Sequence, residues 1–210
     1  EIVLGQPNFT TGTGTVPPTS SSLGLPESIF VDSGGRLWVS DTGNNRVLRF
    51  DNAASLLTNA AANGVLGQTG FTSGSNLPVS ASTLSTPRGL FVDGTGTLWV
   101  ADYLHHRVVR FDNAALKANG AAADGEQGQA NMFSAVGGVT AQSSLWLPKG
   151  VFVDPTGRLW VTDSGNNRVL RFDNAALKAD GSNADGELGQ PDFVNNFLPN
   201  PPFDASLSSP

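Results

Sequence analysis

An all-β fold, with four-stranded antiparallel sheets fanned around an axis, is predicted by three observations. One pattern recurs three times, FVDSGGRLWVSDTGNNRVLRF from Phe30, FVDGTGTLWVADYLHHRVVRF from Phe91 and FVDPTGRLWVTDSGNNRVLRF from Phe152, with a step of 61 residues both times. Each copy breaks into short β-rich runs separated by turn residues. Those runs are apolar throughout more than they alternate, which suggests that both faces of every sheet are covered.

Each element follows from its residues. F-V-D is an apolar run closed by D-x-x-G, where Asp accepts from the backbone ahead and Gly tolerates positive φ, so it is strand A. R-L-W-V-T-D is strand B, S-G-N-N a tight connection, and R-V-L-R-F strand C of a meander. D-N-A-A-L-K-A places helix formers behind an Asp suited to an N-cap, which predicts one or two helical turns. G-E-L-G-Q at Gly186 to Gln190 matches G-E-Q-G-Q at Gly125 and G-V-L-G-Q at Gly64, and reads as strand D. Radial stacking of such sheets, each packed between two neighbours, is a β-propeller.

The pattern V-D-x-x-G-x-L-W-V-x-D-x-x-N-N-R-V-x-R-F closely resembles the NHL repeat, a propeller blade. The resemblance covers three units and nearly all the chain outside the long loops. It implies a blade without implying an activity, because the family includes RNA-binding modules, protein-interaction platforms, lyases and many secreted bacterial proteins.

Composition narrows the partners. The net charge is −6 and the lysines are three, Lys117, Lys149 and Lys178, which disfavours nucleic acid as a ligand. Of nine arginines, six are the repeated pairs Arg46/Arg49, Arg107/Arg110 and Arg168/Arg171, and these are expected to serve the blade by pairing with carboxylates or carbonyls. Cysteine is absent, which removes disulfides, thiolate metal sites and cysteine nucleophiles together. No apolar run approaches the roughly 20 residues of a membrane span. Few lysines and abundant Gly, Ser, Thr, Asn and Ala suit an extracellular or cell-surface bacterial protein.

Read in order, 1–9 matches the end of a blade and is an orphan strand D, since Gly5-Gln6 corresponds to Gly67-Gln68, Gly128-Gln129 and Gly189-Gln190. Blades follow at 23–71, 84–133 and 145–193, and 194–210 begins a connection toward a further blade. Strands A open at Pro26, Pro87 and Pro148 after loops rich in Ser and Thr. Three A-B-C sets do not close a ring, which typically takes four to eight blades. The expectation is therefore part of a six-bladed ring or longer array, excised from a longer chain or completed by copies of itself through open blade edges.

Residues present in every copy are read as structural. Asp32/Asp93/Asp154 and Asp41/Asp102/Asp163 are assigned to turn capping rather than to calcium or acid-base chemistry, and Trp38/Trp99/Trp160 to packing between blades. Departures from the repeat are the binding candidates. Tyr103, His105 and His106 replace the T-G-N-N and S-G-N-N connections, on the face where D–A loops also emerge; an exposed turn is the default reading there. Adjacent histidines converge poorly on one metal ion, and no carboxylate is identified to orient either as a base, so no metal, cofactor or catalytic residue is assigned. Glu27, Arg88 and Lys149 come directly after the aligned prolines on the strand that lines the channel in the resembled fold. Asn8-Phe9-Thr10 is an N-x-T sequon and marks Asn8 as a glycosylation candidate.

The function these features favour is a non-catalytic extracellular binding or structural scaffold, with protein, glycan or copies of itself as partner. The alternative is a propeller lyase or hydrolase whose active site lies mostly in blades outside this chain.

Overall fold

The computed structural model describes residues 1–12, 14 and 16–197. Blade 1 is β1 (Pro26–Val31), β2 (Leu37–Asp41), β3 (Arg46–Phe50) and β4 (Gly64–Leu66). Blade 2 is β5 (Pro87–Val92), β6 (Leu98–Asp102), β7 (Arg107–Phe111) and β8 (Gly125–Gln127). Blade 3 is β9 (Pro148–Val153), β10 (Leu159–Asp163), β11 (Arg168–Phe172) and β12 (Gly186–Leu188). Each is an antiparallel meander in chain order, as the repeat predicts. The first strand of each blade lies beside that of the next, β1 against β5 and β5 against β9.

Register explains why the sequence repeats as it does. Trp38 sits opposite Phe30 on one side and Arg49 on the other, and Trp99 and Trp160 hold the same place between Phe91 and Arg110 and between Phe152 and Arg171. This face points at the following blade. Trp38, Val47 and Leu66 pack on Leu84, Leu90, Val92 and Leu98 of blade 2, and Trp99 and Val108 pack on Leu145, Val153, Leu159 and Val161 of blade 3. Phe30, Phe91 and Phe152 form a ladder along the inner strands, with ring centroids 4.9 and 5.0 Å apart. The sheet of blade 2 is thus covered on both sides, and its apolar runs alternate little because neither face meets water.

Polar contacts lock the same junctions. Arg49 and Arg110 each donate from Nη1 to a carbonyl of the next blade, that of Ala115 and that of Ala176. At the outer edge, Gly120 N–H donates to Val65 O, and the Val65 N–H donates to Asn119 Oδ1.

Two expectations are corrected. The D-N-A-A segments form single 3-10 turns, Ala53–Ser55, Ala114–Leu116 and Ala175–Leu177, within the expected one or two, but the capping position is Asn52, Asn113 or Asn174 in a left-handed conformation with no side-chain cap. Asp51, Asp112 and Asp173 turn instead to Arg49, Arg110 and Arg171, two residues back on strand C. Residues 1–9 are not a strand, because among the described residues no strand C lies beside them. The Val3 carbonyl nevertheless accepts from Asn59 N–H, as Val65 O does from Gly120. Gly5, at φ +83°, lies against Leu23 as Gly67, at φ +86°, lies against Leu84. Of the connection at 194–210, residues 198–210 lie outside the described residues.

Candidate binding site

The aspartates divide into two kinds. Asp32, Asp93 and Asp154 are turn caps, as expected: Asp93 Oδ1 accepts from the N–H groups of Thr95 and Thr97. Each also accepts from the indole Nε1–H of its blade's tryptophan, a link the sequence did not suggest. Asp154 is held down to about 2, first by the Thr156 hydroxyl and also by backbone N–H groups and Trp160, against the opposing effect of desolvation. Asp41, Asp102 and Asp163 are not local caps. They are fully buried, each paired with the arginine five residues on, with Nε to Oδ2 distances of 2.6, 2.9 and 2.7 Å. Arg107 also donates to the carbonyls of Met132, Ser80 and Thr83, so this one guanidinium ties strand C to the loops before and after its blade. Each of its three nitrogens donates to an acceptor fixed by the fold, which favours keeping such a pair buried.

The histidines belong to this frame. His105 is 6% exposed, and its Nδ1–H donates to Asp102 Oδ2 at 2.9 Å, in the place where the amides of Asn44 and Asn166 donate to Asp41 and Asp163. The expected exposed turn is therefore corrected: an imidazole can replace an asparagine amide as a donor of similar reach, and it carries the ring inside. His106 takes the left-handed position of Asn45 and Asn167. Its Nδ1 accepts from Leu147 N–H at 3.3 Å, just as Asn45 Oδ1 accepts from Thr86 N–H at 2.8 Å. Burial and the neighbouring His105 hold His106 below the ordinary histidine value, against Asp102.

These contacts brace strained backbone. The residue before each strand-A proline, Leu25, Thr86 or Leu147, has φ of +49°, +55° or +54°, a left-handed conformation that costs a non-glycine residue roughly 1–2 kcal/mol. At Thr86 and Leu147 the side chain of the preceding blade takes up the N–H. His106 is thus a strut between blades 2 and 3.

Four of the binding candidates come together. Arg88 on β5 lies with Cζ 3.9 Å above the Tyr103 ring, and its Nη1 is 3.5 Å from Glu27 Oε2 on β1. Lys149 on β9 lines the same groove of 290 Å³, beside Arg88 and Glu27, and makes no ion pair among the described residues. The inner strands approach so closely here that a Cβ on Gly89 would clash with the Lys149 carbonyl. His105 and His106 are not part of this groove. Asn8 is exposed and apart from it, its Oδ1 accepting from the backbones and hydroxyls of Thr10 and Thr11.

One functional group was missed. Glu126 replaces Val65 on the fourth strand, is 1% exposed, and accepts from Gln129 N–H and Gly181 N–H at 3.0 Å each. Burial, with Asp180 nearby, pushes it up to about 7 despite those donors and Arg107. The valine-to-glutamate change between aligned copies was the available signal. Among the described residues, no three His, Asp or Glu side chains gather as a metal site, and no helix is long and apolar enough to cross a membrane.

Comparison with known proteins agrees with this architecture. A family model described as the NHL repeat matches residues 23–50 and 145–172, the A-B-C parts of blades 1 and 3. The fold is similar to that of Kuenenia stuttgartiensis hydrazine synthase, at 15% identity over 89% of this chain and 40% of that one, with a TM-score of 0.52. A streptogramin B lyase structure matches at 15% identity over 79% of this chain and 41% of its own, TM-score 0.48. PorZ of Porphyromonas gingivalis, a bacterial surface component of a secretion system, matches at 15% over 84% and 23%, TM-score 0.49. The chain thus spans 41% of the lyase and 40% of the synthase. No curated protein sequence matches it.

Proposed function

With NHL repeats as its blades, this chain, we propose, is a non-catalytic extracellular scaffold module that associates through its open blade faces. One observation carries the reading. The rear face of blade 1 exposes Ile29 and Val31 by 68% and 54%, where blade 2 buries their equivalents Leu90 and Val92 to 5% each. The front face of blade 3 exposes Leu188 by 55% and Phe152 by 49%, where blade 1 buries Leu66 to 4%. Apolar surface of this kind favours burial at roughly 25 cal/mol per Å².

The occupant these two faces fit is each other. The rear of blade 1 bears the residue types that blades 2 and 3 present at their junctions, and the front of blade 3 repeats the Trp38 and Leu66 face. A second copy can therefore dock head to tail. Residues 1–6 lie at the rear edge of blade 1, where the Val3 carbonyl takes the Asn59 N–H, and a docking β12 competes for that place. The composition, with three lysines and no cysteine, supports an extracellular setting, and the net charge of −6 speaks against nucleic acid. His105 and His106 each commit a ring nitrogen to the frame, which favours a scaffold over a hydrolase or lyase in these blades.

Sedimentation equilibrium tests the reading. The chain should associate reversibly, more tightly once residues 1–9 are removed, and less tightly as Val31→Lys or Leu188→Lys. A compact species of 21.8 kDa at every concentration, with and without residues 1–9, overturns it.

A further inference from the structure

The A–B turns lie at the opposite end of the inner strands from the groove beside Arg88 and Lys149, and blade 2 differs there from its sisters. In blade 1, Arg36 Nε pairs with Asp32 Oδ2 at 2.9 Å, and in blade 3 Arg158 Nη1 lies 3.9 Å from Asp154 Oδ2. Blade 2 has Thr97 at that position, and among the described residues no cation pairs with Asp93. Blade 2 also has Gly94 where the others carry Ser33 and Pro155, and a Cβ built there would meet nothing within 4 Å. Two side chains are thus trimmed from one turn.

Beside this turn is a cavity of 550 Å³ whose walls include Phe91, Phe152 and Pro155, with Asp93 and Asp154 lining it as well. The two rings stand 5.0 Å apart and nearly perpendicular, at 63°. Asp93 Oδ1 accepts from Thr95 N–H, Thr97 N–H and the Thr95 hydroxyl, whereas among the described residues Oδ2 accepts only from Trp99 Nε1–H, which leaves it a lone pair. Mostly apolar walls with a few polar groups are the usual makeup of a small-molecule site. A carboxylate without a countercharge sets the sign of the ligand.

We propose that this cavity binds a small organic cation of the arylalkylammonium class, its ring against Phe91, Phe152 and Pro155 and its ammonium on Asp93. The ligand supplies to blade 2 the positive charge that Arg36 and Arg158 supply to the turns of blades 1 and 3. Aromatic walls favour the cation further, since ring faces attract positive charge.

Calorimetric titration of the whole chain with phenethylammonium chloride, and separately with the neutral 2-phenylethanol, tests the assignment. The cation should bind saturably and the alcohol about 10-fold more weakly, a difference of about 1.4 kcal/mol. Thr97→Arg copies the Thr156/Arg158 pair of blade 3, brings a cation to Asp93, and should weaken phenethylammonium at least ~10-fold while leaving 2-phenylethanol within about 2-fold. Gly94→Pro copies Pro155 and should weaken both ligands by narrowing the cavity, which keeps the question open to test if Thr97→Arg does not fold. Absence of saturable binding, equal binding of cation and alcohol, or cation binding untouched by either substitution overturns the proposal.

Discussion

Trp99 and Trp160 occupy the same register, pair with the same neighbours on their own sheets and donate to equivalent aspartates, yet one is 1% exposed and the other only half-buried. The difference lies wholly in the blade ahead: Trp99 has blade 3 in front of it, and Trp160 has no further blade among the described residues. A blade of this chain therefore completes its buried arginine–aspartate frame by itself but borrows its hydrophobic cover. Its polar frame is complete within about 60 residues, since Arg168 finds Asp163, Ala141, Ser144 and Phe193 just as Arg107 finds its own set. Its apolar face is complete only in company, which is the nearest-neighbour logic of a repeat array.

That contrast is broken most directly at the tryptophans. Trp99→Ala is expected to cost about 3–5 kcal/mol, the range for emptying a large buried aromatic position. Trp160→Ala, losing the same indole hydrogen bond but less buried surface, is expected to cost about 1–2 kcal/mol. Denaturant midpoints of the two variants give the comparison. Equal costs would mean that the front face gains nothing from the next blade, and the borrowed-cover account would fall.

Glu126 sharpens the comparison at the outer edge of the junctions. Between blades 1 and 2, Gly120 N–H donates to the Val65 carbonyl; between blades 2 and 3, Gly181 N–H donates to the Glu126 carboxylate instead. Burial raises this carboxyl from 4.5 to about 7. Between those values the folded chain holds a proton that the unfolded chain releases, so stability falls as pH rises and the loss is complete above about pH 7. Glu126→Val, which copies blade 1, removes that dependence. Relative to the parent it should gain on the order of 2–3 kcal/mol between pH 4.5 and pH 8, read from denaturant midpoints at both ends. Parallel pH curves for parent and variant would show that Glu126 is ionised throughout and supported by its two N–H donors.

Much of this was legible because repetition separates what a blade needs from what one copy adds. The strands, their register and the Trp38, Trp99 and Trp160 packing face follow from apolar runs bounded by turn residues, and the structure places them where the repeat does. The single helical turns are within what was expected, but their caps were misjudged because Asp51, Asp112 and Asp173 pair with the arginines two residues back on strand C. The site was harder to read. Tyr103, Arg88 and Glu27 come from three points separated in the chain: the pairing of β5 with β6 sets Tyr103 beside Arg88, and the stacking of β1 on β5 adds Glu27. His105 was misread because its partner, Asp102, was assigned to the turn rather than to the interior. Glu126 hid within a segment matched on its glycines, where a buried acid and a buried valine look alike.

The smallest effect tests whether His106 is a strut or a liability. Its Nδ1 accepts the Leu147 N–H only while that nitrogen is unprotonated, and burial with His105 nearby already holds its value below 6.5. Just below pH 6.5 the unfolded chain therefore binds more protons than the folded one, and the parent loses stability as pH falls. His106→Asn restores the residue of blades 1 and 3, whose Oδ1 in blade 1 takes the equivalent N–H at 2.8 Å rather than 3.3 Å. Melting at pH 7.5 should show a gain of about 0.5 kcal/mol, within the range for one improved hydrogen bond, and at pH 5.5 a larger one. A variant less stable than the parent at both values would mean that the imidazole contributes packing that asparagine cannot, and that the middle copy departs from the repeat to strengthen its junction.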